Sequence, residues 1–135
     1  MHEFKRIWRV LVAASAISVA PTASAHHSFA AVYDANSPVT ITGVVTEVSW
    51  LNPHARFYVD VESESGVIEN WEFELGSPNG LMRIGWTRNS LKPGDIVTTE
   101  GTRARDGSPA ANARSVTLAD GTSMFAGDAQ QGGLR

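Results

Sequence analysis

The residues best suited to chemistry are three histidines, His26, His27 and His54, the only ones left once the leader that carries His2 is removed. Ala23-Ser24-Ala25 is a small-residue cleavage signal, and cutting after Ala25 makes His26 the first residue of the mature chain. A terminal histidine offers an imidazole nitrogen beside an α-amine whose pKa lies near about 8, so both can bind one metal ion. His26, His27 and His54 are therefore the expected metal ligands. Cu(II) is the first choice, because it favours nitrogen donors in tetragonal geometry and heads the divalent affinity order. Zinc is second, since a zinc site asks for a third histidine or a carboxylate as well. Trp50 and Met82 would suit Cu(I) through an aromatic face and a soft thioether, although both residue types usually fill cores.

Other candidates are weaker. Arg56 and Tyr58 fall on the outward side of a strand, where they could stack on a sugar ring or meet a peptide. Glu72 and Glu74 share that outward side and read as a solvated strand face. Gly76-Ser77-Pro78-Asn79-Gly80 lacks the glycine spacing of a nucleophile elbow. With no cysteine, thiolate ligands, cysteine nucleophiles and disulfides are excluded. The expectation is a protein that binds rather than transforms, and not an enzyme.

The leader has a basic start at Lys5, Arg6 and Arg9 and an apolar run from Val10 to Ala20, broken by Pro21. That run is shorter than the roughly 20 residues a membrane helix needs, so residues 1–25 read as a cleaved signal peptide and the product as periplasmic. The 135-residue chain carries −3; the leader holds +2 of that balance, so the remainder stands at −5. Such acidity opposes binding along a phosphate backbone, and no nucleic-acid partner is expected.

The elements that must position these residues are mostly strands. Residues 26–38 read as an N-terminal arm pinned by Phe29, Val32 and Tyr33. Residues 39–50 alternate with a change of phase at Gly43, which predicts a bulged, bent strand. Residues 54–62 and the run through Trp71, Phe73 and Leu75 continue a meander with one apolar face. Ser77-Pro78 predicts an N-cap and first turn of a short helix through Leu81, Met82 and Ile84. Strands over 96–101 and 113–118 follow, flanking a loop at 103–111, and residues 121–135 read as a flexible tail. Three strands, a small helix and two strands predict an all-β, OB-fold-like five-stranded Greek-key barrel spanning 39–120.

The chain also resembles an uncharacterised family of exported bacterial proteins, domain of unknown function 6152 (DUF6152). The resemblance rests on His26-His27-Ser28, Asn52-Pro53-His54, Gly76-Ser77-Pro78, Arg83-Ile84-Gly85-Trp86, Leu91-Lys92-Pro93-Gly94-Asp95 and Asp106-Gly107-Ser108, in that order. It implies a small exported domain and assigns no catalytic residue. Two functions stay open: a copper-binding module, and a structural or interaction module that docks onto an exported partner protein without metal.

Overall fold

The computed structural model describes residues 29–127. A helical turn over 29–32 leads into β1 (Tyr33–Ser49), β2 (Arg56–Glu62) and β3 (Ile68–Glu74). A short helix, α1 (Pro78–Arg83), precedes β4 (Ile96–Ala104), β5 (Ala110–Leu118) and β6 (Ser123–Phe125). The strands lie in the order β3-β2-β1-β4-β5-β6, and a further pairing of β3 with β5 closes the sheet into a ring. All neighbours are antiparallel except β3 and β5, which run parallel over Glu72–Glu74. The fold is all-β with one small inserted helix, as the element order predicts. Among the described residues it has six strands rather than five.

Alternation builds the core. Ala55, Phe57 and Val59 of the β2 segment face Trp71, Phe73 and Leu75 of the β3 segment inside the ring, all buried. Phe57 stacks on Phe73 with ring centroids 5.2 Å apart, and Phe73 on Trp71 at 6.1 Å. Helix α1 starts as its sequence dictates, because Ser77 Oγ accepts a bond from the Gly80 N–H and Pro78 occupies the first turn. It turns Leu81 inward and leaves Met82 and Ile84 exposed.

Three boundaries differ from expectation. The bulge in β1 falls between Val45 and Glu47, not at Gly43. Val39, Ile41 and Val45 therefore share the core side, the phase changes after Val45, and Val44 lies outward at 41% exposure. Gly43 answers a different need: a Cβ there would stand 2.5 Å from the Asp60 carbonyl oxygen, so it permits β1 to cross β2 closely. Strand β1 also starts earlier, at Tyr33, with an irregularity between Tyr33 and Pro38 where the arm leaves the ladder.

The third difference is at the end. Within the predicted flexible tail, β6 pairs with β5 through Ser115, Val116 and Thr117. Ala126 is fully buried, its carbonyl accepts from Gly76 N–H, and the Phe125 carbonyl accepts from the Trp86 indole at 2.7 Å. These tertiary bonds override the glycine-rich local composition. Residues 128–135 of that predicted tail, and the predicted leader, lie outside the described residues.

Candidate functional site at the arm-covered strand face

Strands β2 and β3 carry the site on their outward face. Arg56 lies opposite Glu74 and Tyr58 opposite Glu72 in the antiparallel register. His54 sits just before β2, where the neighbouring Ala55 N–H bonds to the Gly76 carbonyl. That frame puts His54, Arg56 and Glu74 on one side of the sheet, by the two-residue alternation of strands.

Glu74 is the hub. Its Oε1 stands 3.0 Å from His54 Nδ1, and its Oε2 accepts from Tyr33 Oη and from Arg56 Nη2, each at 3.2 Å. The side chain is only 13% exposed, against 36% for His54. Arg56 also reaches Glu72 through Nε at 2.9 Å, an ion pair without hydrogen-bond alignment. The reading of Glu74 as part of a solvated face is thus corrected, while Glu72, at 41% exposure, stays largely solvated. Alternation tells which side a residue faces, and here the outward side is roofed by the arm.

The arm is held from two directions. Phe29 and Tyr33 bury their rings together, 5.2 Å apart, against Ala104 and Ala110. Arg105 donates through Nε to the Ala30 carbonyl and through Nη2 to the Tyr33 carbonyl, while its own N–H bonds to Val32 O. A cation on the last carbonyls of a helical turn satisfies groups that have no partner within it. Of the three predicted pins, Phe29 and Tyr33 act as such and Val32 is exposed. Between arm and sheet lies a cleft of about 430 Å³, edged by Tyr33, Arg56, Glu72, Glu74, Asp106 and Ser108. Its carboxylates outnumber its one guanidinium, so its potential is negative.

Titration reflects this packing. Burial first, then the Glu74 charge and hydrogen bond, push the Tyr33 hydroxyl well above its ordinary value of 10.0. Burial opposes the charge on Arg56, but Glu74 and Glu72 outweigh it and raise that pKa further. Tyr58 is raised by burial first and then by Glu72, with Arg56 opposing.

Because folded Tyr33 keeps its proton to higher pH than unfolded tyrosine, its contribution to stability is whole below pH 10 and is lost above it. Unfolding free energy should fall above about pH 10, by at most about 1.4 kcal/mol per pH unit from this group. Urea midpoints at about pH 9 and about pH 11 measure it, and Tyr33→Phe should flatten most of the difference. An equally steep fall in that variant refutes the assignment.

The structure joins His54 and Arg56 through Glu74 and sets Tyr58 beside them in register. Trp50 packs, partly buried, against the core, and Met82 is 52% exposed on α1. His26 and His27 lie outside the described residues. Among the described residues no group of three or more His, Asp or Glu side chains could hold a metal ion, so His54 alone supplies an imidazole there. Sequence reading missed Arg105 and the bond between Tyr33 and Glu74, because these contacts join residues 41 and more positions apart along the chain.

Among the described residues, no helix is long and apolar enough to cross a membrane. A family model described as a family of unknown function, DUF6152, matches residues 14–113, a span that includes Tyr33, His54, Arg56 and Glu74. No curated protein matches the chain.

Proposed function

The chain belongs to the DUF6152 family, and we propose that it is an exported, periplasmic metal-binding domain of OB type that holds copper at the mouth beside His54. The observation that carries this reading is the His54–Glu74 pair. His54 Nδ1 stands 3.0 Å from Glu74 Oε1 as an ion-pair contact. A carboxylate on that side of the ring would favour the proton on Nδ1 and leave the Nε2 lone pair for a metal, the arrangement typical of ligating histidines. Tyr33 and Arg56 in turn hold Glu74, so the orienting carboxylate is itself oriented.

The remaining donors would be His26 with its freed amine, and His27. Phe29 packs on Tyr33, Tyr33 donates to Glu74, and Glu74 Oε1 lies 3.0 Å from His54 Nδ1. Three residues precede Phe29 in the mature chain, a reach of about 10 Å at full extension. Copper suits an amine-and-imidazole donor set, and zinc is the second choice. The domain binds its ion and does no chemistry on it. The OB assignment rests on β1 pairing with both β2 and β4, and on the parallel closure of β3 with β5.

The test uses the mature protein beginning at His26, titrated with Cu(II) and followed by EPR. A nitrogen-rich tetragonal spectrum is expected. An added alanine before His26, or His54→Ala, should weaken binding, and Glu74→Gln should do so by about 10–100-fold. Equal affinity in all four forms overturns the reading, as does a mature terminus at any other residue.

A further inference from the structure

We propose that the open edge of β3 at residues 68–71 is a docking site for an extended, basic segment of another protein, which adds to the ring as a strand. This site is separate from the proposed metal mouth.

The ring is incomplete along this stretch. Strand β3 pairs with β2 over its whole length but with β5 only over Glu72–Glu74. Glu72 N–H bonds to the Pro109 carbonyl, on the side away from β2. By strand alternation the N–H and C=O groups of Ile68 and Asn70 face that same side, where among the described residues no strand pairs with them. Residues 62–70 are exposed throughout, with Val67 at 63% and Ile68 at 62%. Free backbone groups bordered by exposed apolar side chains are what strand addition uses.

Charge selects the occupant. Between Phe57 and Met82 stand six carboxylates and no Lys, Arg or His. Glu72 and Glu74 are tied to Arg56, but Asp60, Glu62, Glu64 and Glu69 have no ion-pair partner among the described residues. Acids of this density repel a second copy of the same edge and attract a lysine- or arginine-bearing strand. Self-pairing would set Glu69 and its neighbours against their own copies.

The probe is a capped heptapeptide alternating lysine with valine and threonine, with its glutamate counterpart as control. Added to the mature chain, the basic peptide should bind and slow amide exchange at Ile68 and Asn70. Glu62→Lys with Glu64→Lys should weaken it at least about tenfold, since like charges oppose docking. Unchanged exchange at those two amides under saturating peptide overturns the proposal, because charge attraction alone would not protect backbone. Equal binding of the glutamate peptide, or dimerisation of the chain through this edge, overturns it as well.

Discussion

Gly101→Ala should lower the stability of the domain by about 3 kcal/mol, at the upper end of what overpacking costs. A Cβ at this position would lie 2.2 Å from the Asn112 carbonyl oxygen and 3.2 Å from Ala113 Cα. Both are backbone atoms of β5, so no side chain can swing aside to make room. The register explains the crowding. Glu100 pairs with Ser115 and Gly101 with Ala113, which leaves Arg114 as an extra residue that bends β5 toward β4. The displaced Arg114 carbonyl then accepts from Ala126 N–H and anchors the segment that follows β6. Relieving the clash means moving β5 off β4, and β5 also carries the closing pairs to β3 and β6. Against a total of about 5–15 kcal/mol for a small domain, the loss is large. Gly43→Ala, at 2.5 Å from the Asp60 carbonyl, should be milder but of the same sign. Urea denaturation measures both, and a wild-type midpoint for Gly101→Ala would show that this bulge is free to relax.

The sequence carried the inward-facing residues of β2 and β3 plainly, because strict alternation of large apolar with polar types has a single reading when one face is buried. The helix was equally legible, since Ser77 and Pro78 are local signals acting on local backbone. What escaped were features set by distant segments. Val39, Ile41, Val44, Val45 and Val48 admit two phases, and only the partner strands place the extra residue after Val45. Met124 and Ala126 sit in a glycine-rich run whose order comes from β5, Gly76 and Trp86. The site failed to show for the same reason. His54 stood out by its rarity, but Glu74 looks like any other outward strand acid until Tyr33 is laid over it.

Removing that acid gives the second large effect. Glu74→Ala should cost about 2–3 kcal/mol, most of it from the buried Tyr33 hydroxyl left without an acceptor. The Arg56 and His54 side chains are 38% and 36% exposed, so water replaces much of what they lose and their share is discounted. Tyr33→Phe alone should cost less, because Glu74 keeps its Arg56 hydrogen bond and its ion-pair contact with His54. In the double variant the two losses should fall short of their sum by about 1 kcal/mol, the signature of residues that share one bond. The consequence for the arm is sharper. With the Tyr33 bond gone, the arm keeps only the Phe29–Tyr33 packing and the Arg105 contacts, so amide exchange over 30–34 and proteolysis near Val32 should quicken. Arg105→Ala offers a separate way to loosen the arm without touching Glu74. If both variants free the arm but only Glu74→Ala disturbs the His54 ring, the acid orients the histidine directly; if Arg105→Ala disturbs it as much, the arm does.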